Sequence, residues 1–394
     1  MTVVDLTTSY AGPTASMCLA DLGATVTKIE RPGAGDDCRY WGPPFIDGVS
    51  PWFASTNRNK RSVALNLRHP SGGKVLQELI ADADVFMQNV NPAKLVDLEI
   101  DPDSLCTRFP RLVYCAMSGF GLTGPNSAEP GYDLVAQARS GLMSVTGERG
   151  RRPQRVSTAL SDIVTGMCAA LAISAARVRQ VLSGEGDLID VSLMDADLAL
   201  MAPRIASYLA GEPEPAPSGG TDSVLAVYQT FQTADRDLVV AVGNDRMWQR
   251  FCMALDLPDL AADPELSDNA GRRTHRLSGI LPVVSDRLRK RSAAEWMKIL
   301  AEAEIPVSLV RTLSEVVADP HVQERGALIP LPRHKGLFGV HSPFRLGSMA
   351  EPRVEPVPAL GEHTRATLQG LGYAEREIAR LAQEGAIQCV EEGS

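Results

Sequence analysis

The stretch "TVVDLTTSYAGPTASMCLADLGATVTKIE", Thr2 to Glu30, decides the fold. "TVVDLT" and "TVTKIE" have the composition of strands, and "GPTASMCLADLG" between them predicts a short helix. Pro13 lies near the predicted first turn of that helix and Gly23 at its end, where each residue is favoured. A strand, a helix and a second strand in this order predict two parallel strands joined by a crossover helix.

The same alternation continues through the next ninety or so residues. "SVALNL" (62–67), "DVFMQN" (84–89) and "RLVYCAMS" (111–118) predict strands, and "GGKVLQELIADA" (72–83) predicts a helix. A further strand is predicted at 188–193. The fold class is therefore α/β, with a parallel sheet covered on both faces.

A second, smaller unit follows a linker. "GEPEPAPSGG" (211–220) is a linker by composition. After it, "VYQTFQT" and "DLVVAVG" predict a hairpin, and helices are predicted to begin near Trp248, Leu277, Ala293 and Leu313. A second proline-rich stretch starts at Pro330, and the C-terminal residues predict an extended arm followed by a helix.

The composition excludes several classes of function. The chain has 394 residues and a net charge of −9, so no basic surface attracts a nucleic acid. Its seven cysteines form no CxxC pair, which indicates reduced thiols in the cytoplasm. No histidine or cysteine spacing indicates a metal site. We also expect neither a signal peptide nor a membrane span, since the longest apolar run, around Met167 to Ala176, is too short.

One carboxylate has two possible roles. "STALSDIVTGMCAALAISAARV" (157–178) contains a single acidic residue, Asp162, just before apolar residues at helical spacing. These are Val164, Met167, Leu171 and Val178, and they predict a helix buried on most of its surface. Asp162 suits the N-cap of that helix, but the same position also favours an ionised, reactive carboxylate.

Two further motifs are ambiguous. "GFGLTG" (119–124) matches GxGxxG but is followed by prolines rather than a helix, so a glycine-rich active-site loop is favoured over a dinucleotide site. "NRNKR" (57–61), with Arg68, is either a solvated charged loop or a contact for the phosphates of a nucleotide-like ligand.

Together these stretches resemble the class III CoA-transferases, the group of formyl-CoA transferase and carnitine CoA-transferase. The resemblance extends in order from the first helix through "NRNKRSVALNLR", "RLVYCAMSGFGLTGPNSAEPGYDLVAQARSGLM" and "ALSDIVTG". It continues through "GEGDLIDVSLMDA" and "ADPHVQERG" to "LGEHTRATLQGLGY" near the C-terminus.

The resemblance implies a Rossmann-like large domain, completed by the C-terminal segment, and a smaller α+β domain, in a homodimer of interlocked rings. The boundaries are then 1–195 for the first part of the large CoA-binding domain, 196–220 for a linker, 221–325 for the small domain and 326–394 for a second linker and the returning segment. Extended chain is expected around 195–220 and 330–360.

The resemblance also implies the activity. CoA passes from an acyl-CoA donor to a small carboxylic acid through a covalent intermediate on Asp162, without ATP or a metal. Amide groups of "SGFGLTG" are candidates for stabilising the tetrahedral intermediates. The implied CoA contacts are Tyr10, Ala11, Arg31, Leu65, Asn66, Leu67, Arg68, Asn89, Val90, Asn91, Lys94 and Tyr132.

The chain departs from the family pattern in places. "QNVNPA" (88–93) stands where many members have an ENFRPG-like turn, and Asp97 stands where some have a basic residue, which leaves Lys94 as the candidate replacement. "PSGGTDS" (217–223) is shorter than the glycine loop of formyl-CoA transferase. The substrates of that enzyme are therefore not assumed.

Two other functions are compatible with the same fold. α-Methylacyl-CoA racemases have a histidine in the segment that matches "PGYDLVAQ", and this chain has Tyr132, a much weaker base at neutral pH. A protein that only binds CoA would have no use for a carboxylate at Asp162. Transferase activity is therefore the favoured prediction.

Overall fold

A computed structural model describes residues 1–222, 224–349 and 353–390. Ser223, the last residue of "PSGGTDS", and residues 350–352 and 391–394 of the predicted C-terminal segment lie outside the described residues. The chain divides into two compact units. The first comprises Met1–Leu142, Arg155–Glu212 and the described part of His321–Ser394, and the second comprises Met143–Gln154 and the described part of Pro213–Pro320.

The strands are β1 (Thr2–Asp5), β2 (Thr25–Glu30), β3 (Lys60–Leu65), β4 (Val85–Gln88), β5 (Val113–Ser118), β6 (Asp187–Ser192), β7 (Tyr228–Gln232), β8 (Asp237–Ala241), β9 (Val307–Leu309), β10 (Leu328–Pro330), β11 (Phe338–Val340) and β12 (Ile387–Gln388).

The α-helices are α1 (Ala11–Asp21), α2 (Pro51–Asn57), α3 (Pro70–Ala81), α4 (Pro102–Arg108), α5 (Asp133–Arg139), α6 (Leu142–Val145), α7 (Leu160–Ser183), α8 (Leu193–Leu209), α9 (Asp245–Ala254), α10 (Pro258–Ala262), α11 (Asn269–Thr274), α12 (Leu281–Leu288), α13 (Ala293–Glu302), α14 (Leu313–Val317), α15 (Pro320–Glu324), α16 (Thr364–Gly370) and α17 (Glu375–Gln383).

The first unit is built on a seven-stranded sheet in the order β12-β3-β2-β1-β4-β5-β6. Strands β1 to β6 are parallel, and β12 pairs antiparallel with β3 at the edge. The α/β class with a parallel sheet is thus confirmed. The order 3-2-1-4-5-6 reverses direction between β1 and β4, and ligands of such sheets bind at the carboxyl ends of the strands on either side of that reversal.

Alternate residues of the strands face the two helical layers. Phe86 packs with one layer, built from α3, α4, α16 and α17. Met87, the next residue of β4, packs with the other layer, built from α1 and α7. Both faces of the sheet are covered, so its strands are almost continuously apolar.

Helix α7 differs from the sequence prediction in the face that it buries. Leu171 and Val178, expected in the core, are 72% and 60% exposed, and Met167 is exposed as well. The buried face consists instead of small residues around Gly166 and Ala169, because α7 packs closely against α1. Its 24 residues also make it long and apolar enough to cross a membrane, contrary to our expectation, although its inner face belongs to the core of the first unit.

The predicted linker 196–220 is also partly wrong. Leu193–Leu209 forms α8, because Leu193, Ala196, Asp197 and Met201 recur at helical spacing and are buried. Extended chain is therefore confined to the residues that follow α8.

The second unit contains a three-stranded antiparallel sheet in the order β7-β8-β9. The predicted hairpin is confirmed as β7 and β8. Its apolar face packs against helices through Trp248 of α9 and Trp296 of α13, both buried.

Candidate active site

A pocket of about 240 Å³ lies at the carboxyl ends of β1 and β4, where the strand order reverses. Its wall includes Thr8 and Ser9 after β1, and Asn89 to Asn91 after β4. The wall also includes Ala11 of α1, Gly119 after β5, Tyr132 before α5 and Asp162 of α7. Of the residues expected to serve the reaction, Ala11, Asn89, Val90, Asn91, Tyr132 and Asp162 are therefore brought together.

Asp162 is not the N-cap of α7. The helix begins at Leu160, its N-cap residue is Ala159, and Asp162 lies in the first turn. Asp133 of α5 performs the capping: its Oδ2 accepts hydrogen bonds from the backbone N–H groups of Ser161 (2.9 Å) and Asp162 (3.4 Å). Because another residue satisfies the helix start, the carboxylate of Asp162 is left to face the pocket.

Three carboxylates come together around the start of α7. Ser161 donates a hydrogen bond from its Oγ to Oδ2 of Asp197 on α8, at 2.8 Å, while its backbone N–H contacts Asp133. Burial raises the pKa of Asp162 to about 7, and the charges of Asp133 and Asp197 add to the effect. Asp162 is thus a partly buried carboxyl group whose ionisation falls in the physiological range.

Sequence reasoning assigned no role to Asp133 or Asp197. The signal for Asp133 was an acidic residue at a helix start, directly after Tyr132. The signal for Asp197 was a charged residue on the apolar face of an amphipathic helix. Only the fold places both beside Asp162. Within the described residues there is no group of three or more His, Cys, Asp or Glu side chains suited to holding a metal ion.

A groove of about 880 Å³ adjoins this pocket, since Thr8 and Val90 line both. Arg31 after β2, the segment 65–68 after β3, and Lys94 after β4 lie along it, together with Asp97. The side chains of Arg31, Arg68 and Lys94 are exposed to solvent. The groove therefore offers three cations at one edge of the sheet and leads toward Asp162.

Several predicted contacts have a structural partner already. The Asn89 amide exchanges hydrogen bonds with the backbone of Thr8, at 3.0 and 2.9 Å. Asn91 donates to the carbonyl of Ala128 at 3.2 Å, and Asn66 donates to that of Gly385 at 3.1 Å. These amides hold the walls of the pocket and the groove in place.

Two other predicted contacts lie apart from the pocket surface. The Tyr10 side chain packs on Trp52, with ring centroids 5.3 Å apart, and its hydroxyl lies 2.9 Å from Oγ of Ser55. Tyr10 is not among the residues that line either cavity. Leu65 reaches the groove, but its side chain is in the hydrophobic core.

Gly119 of the loop "GFGLTG" lines the pocket, as expected for an active-site loop. A Cβ on Gly119 would lie 2.5 Å from Cα of Gly131, so a close approach of two backbone segments also requires glycine at this position. The N–H groups of Gly121 and Leu122 donate to Ser118 Oγ (2.8 Å) and Asp190 Oδ2 (2.9 Å). These two amides are therefore unavailable to a reaction intermediate.

For residues 57–60 of "NRNKR" neither interpretation is correct, because all four are buried. Arg68, which was predicted with them, is exposed and lies along the groove. Arg58 forms an ion pair with Asp21. Lys60 Nζ donates to the carbonyl of Pro13 and to Asn57, each at 2.9 Å, and lies 3.4 Å from Asp5. Arg58 and Lys60 therefore belong to the interior of the first unit, where both contact α1.

Buried charges also fix the loop after β1. Asp5 accepts from Thr7, whose carbonyl accepts from Lys28 at 2.8 Å. Lys28 forms a buried ion pair with Asp36 at 2.8 Å, and Asp36 accepts the N–H of Ser9 at 3.0 Å. Ser9 has a φ of +69°, a conformation that a serine holds only when its surroundings impose it. The network thus sets the backbone at the pocket wall.

Comparison with known proteins agrees with the resemblance. Residues 1–364 match the family described as CoA-transferase family III. Human succinyl-CoA:glutarate CoA-transferase is 36% identical over 98% of this chain and 88% of its own length. The succinate–glutarate CoA-transferase of Agrobacterium fabrum is 34% identical, with 95% of each chain covered.

A solved structure is similar over nearly the whole chain. The crystal structure of a CAIB/BAIF family protein from Brucella suis superposes with a TM-score of 0.82 and 33% sequence identity, and the match covers 94% of this chain and 98% of that one.

Proposed function

Since the chain belongs to CoA-transferase family III, we propose that it moves CoA from an acyl-CoA donor to a small carboxylic acid with Asp162 as the nucleophile. The observation that carries the assignment of Asp162 is its position. It is a partly buried carboxylate in the pocket at the reversal of the sheet, beside a groove of about 880 Å³ that carries Arg31, Arg68 and Lys94.

The reaction needs no net proton transfer. A carboxylate oxygen of Asp162 attacks the thioester carbon, the C–S bond breaks, and CoA leaves as a thiolate from a mixed anhydride. The thiolate then attacks the Asp162 carbonyl carbon and releases the donor acid, which leaves an aspartyl-CoA thioester. The acceptor carboxylate repeats the two steps in reverse order, which regenerates Asp162. Division into several exchanges of similar energy is the advantage of the covalent route.

The groove supplies the binding of CoA in this proposal. Arg31, Arg68 and Lys94 are placed to contact its phosphates, and the junction at Thr8 and Val90 lets the thioester reach the pocket. Asp97 lines the same groove and repels phosphate, which opposes the attraction by the three cations.

The first turn of α1 is the proposed source of N–H donors to the tetrahedral intermediates. Ala11 lines the pocket, and Tyr10 at the N-cap makes no side-chain hydrogen bond to the helix start. The partial positive charge of a helix N-terminus stabilises an oxyanion. This role replaces the one expected for the amides of Gly121 and Leu122.

We propose that the acceptor is a small dicarboxylate. The support is that the two relatives above are named as succinyl-CoA:glutarate and succinate–glutarate CoA-transferases. Incubation with succinyl-CoA and a panel of C2 to C6 mono- and dicarboxylic acids, followed by mass spectrometry of the CoA esters, identifies the acceptor. Transfer to monocarboxylates alone would contradict the dicarboxylate class.

Asp162→Asn tests the nucleophile. The variant is expected to lose turnover, because an amide does not form the anhydride. At pH 8 it should melt no lower than the parent, since the substitution removes a carboxylate whose ionisation is opposed by burial and by Asp133 and Asp197. With succinyl-CoA and no acceptor, hydroxylamine should leave a hydroxamate on the parent peptide that contains Asp162.

Persistent turnover of Asp162→Asn, or a hydroxamate on another residue, would reject the assignment. The racemase alternative has its own readout: enzyme-dependent gain of α-deuterium by a 2-methylacyl-CoA in deuterium oxide would favour it over transfer.

We also propose that the protein is a homodimer. The support is the apolar outer face of α7, on which Leu171 and Leu182 are 72% and 82% exposed and Val178 and Val181 lie alongside. A face of this kind marks an interface in a protein of this composition. Sedimentation at working concentration should give twice the chain mass, and a folded monomer would contradict the proposal.

A further inference from the structure

Asp197 is a buried carboxylate that the proposed mechanism does not use. It lies on α8 with no solvent exposure. Its Oδ2 accepts from Ser161 Oγ at 2.8 Å and from Ser140 Oγ at 3.4 Å. Its Oδ1 is buried and has no hydrogen-bond partner among the described residues. A carboxylate oxygen in this state is costly to stability, so its retention calls for an explanation.

The contacts of Asp197 lead directly to the nucleophile. Ser161, which donates to Asp197, precedes Asp162 in the first turn of α7 and also donates its backbone N–H to Asp133. Asp133 is itself held by a hydrogen bond of 2.6 Å from Gln137. The backbone that carries Asp162 is thus fixed between two carboxylates, one on α5 and one on α8.

We propose that Asp197 is a positioning residue of the transfer reaction: it fixes the first turn of α7 through Ser161, and its buried negative charge favours the acylated, uncharged form of Asp162 over the free carboxylate. The inference rests on the proposed role of Asp162 as nucleophile.

The charge balance of the reaction explains how Asp197 acts. The free carboxylate of Asp162 is repelled by Asp133 and Asp197. When the anhydride forms, its negative charge leaves this cluster on the CoA thiolate, and the repulsion is relieved. Protonation of Asp162 relieves the same repulsion. The raised pKa of Asp162 and its favoured conversion to the uncharged, covalent form therefore have a common cause. One variant should change both by a similar factor.

The groups that face Asp162 come from several elements. They are Asp133 at the start of α5, Asp197 on α8, Tyr10 before α1 and Cys38 in the short helix Asp37–Tyr40. Glu129 and Tyr132, in the loop before α5, line the same pocket. Of the charged residues among the described pocket lining, none is Lys, Arg or His. Removal of the Asp197 charge is therefore not masked by a neighbouring cation in the pocket.

Asp197→Asn tests the proposal, because asparagine keeps the shape and still accepts from Ser161. Loss of the charge should lower the pH midpoint of the acid limb of kcat/KM by up to about one unit, since Asp197 contributes less to the raised pKa of Asp162 than burial and Asp133 do. The yield of aspartyl-CoA enzyme, in which Asp162 is likewise uncharged, from succinyl-CoA without acceptor should fall by the same factor, up to about tenfold, when measured by intact mass above pH 8. The KM for succinyl-CoA should not change.

Asp195→Asn is the matched control. Asp195 is an exposed carboxylate on the same helix that contacts Ser192. This variant should keep the parental midpoint and the parental yield of aspartyl-CoA enzyme. If Asp197→Asn does not fold, Asp197→Ser removes the same charge with a smaller side chain and carries the same expectation.

An unchanged midpoint in the folded Asp197 variant, with or without a uniform loss of rate, overturns the proposal, because a purely structural role lowers activity equally at every pH. Failure of the proposed function is seen separately. Asp162→Asn would then stay active, whatever the Asp197 variants do.

Discussion

Two clusters of buried charge support the active-site pocket, and they differ in the balance of positive and negative charge. The first, below the loop after β1, pairs Asp5 and Asp36 with Lys28 and Lys60. Burial alone would raise the pKa of Asp5, yet Lys60 and Lys28 hold it below its ordinary value. The second, around the start of α7, consists of carboxylates, and there the pKa of Asp162 rises to about 7.

The contrast distinguishes a cluster that stabilises the structure from one that makes a residue reactive. A balanced cluster favours the charged forms of Asp5 and Lys28, although burial lowers the pKa of Lys60 to about 8, and it fixes the backbone that its members bind. An unbalanced cluster makes one member easy to neutralise, by a proton or by an acyl group, and strongly perturbed groups in a cleft are typical of reactive residues.

Lys60→Met breaks the balanced cluster and should have the largest effect on stability. It leaves Asp5 with one fewer buried cation and removes the donor to Pro13 and Asn57. The free energy of unfolding in urea should fall by about 3–5 kcal/mol. Arg61→Met, at the adjacent exposed position of β3, should change it by less than about 1 kcal/mol. Equal effects of the two variants would show that the cluster is not a stabilising network.

The unbalanced cluster predicts a strong pH dependence. Only ionised Asp162 attacks, and its pKa is raised to about 7, so kcat/KM for the donor should fall tenfold per unit below that pH. At pH 5 the parent should therefore have about one hundredth of its plateau value. The measurement uses succinyl-CoA over pH 5 to 9 at constant ionic strength. A profile that is flat down to pH 5 would mean that Asp162 ionises near its ordinary pKa.

The difference between the clusters also explains what sequence reasoning achieved. The parallel sheet was predictable, because each strand is a short apolar run bounded by turns and helices. Asp162 was found by resemblance to a family motif, and it lies in the pocket. Its partners Asp133 and Asp197 are 29 and 35 residues away in the chain, and no local sequence pattern shows that they lie close to Asp162 in the fold.

The basic residues of "NRNKR" show a case in which sequence reasoning gave the wrong burial. Composition placed them at the surface, since lysine and arginine are rarely buried without a partner. Their partners Asp5 and Asp21 lie on β1 and α1, far from them in sequence. The predicted strand began at Ser62, whereas β3 begins at Lys60. Lys60 is part of the sheet because its ion pair with Asp5 makes its burial possible.

Gly166→Ala tests the contact between α7, which carries Asp162, and α1, which rests on the balanced cluster. A Cβ at Gly166 would lie 2.6 Å from the carbonyl of Ala11 and 2.7 Å from Cβ of Thr14. The helices must separate, and the free energy of unfolding should fall by about 1–3 kcal/mol. Gly73→Ala in α3, where a Cβ meets nothing within 4 Å, should be neutral or stabilising. A neutral Gly166→Ala would indicate a looser contact than the structure shows.

The smallest effects are expected in the groove, where charges are exposed and screened by solvent. Arg31→Ala and Arg68→Ala should weaken CoA binding by about fivefold or less each, since single exposed ion pairs contribute little. The loss should be smaller for Arg31, because its guanidinium must first give up Asp37, 2.5 Å away, and the described structure shows no such carboxylate beside Arg68. Titration calorimetry with CoA at 20 and 200 mM salt measures both, and the difference between parent and variant should shrink at the higher salt. Lys74→Ala, an exposed lysine of α3 outside the groove, is the control. If all three variants bind CoA equally, the phosphates lie elsewhere, and the groove beside Asp162 is not the path by which the thioester reaches it.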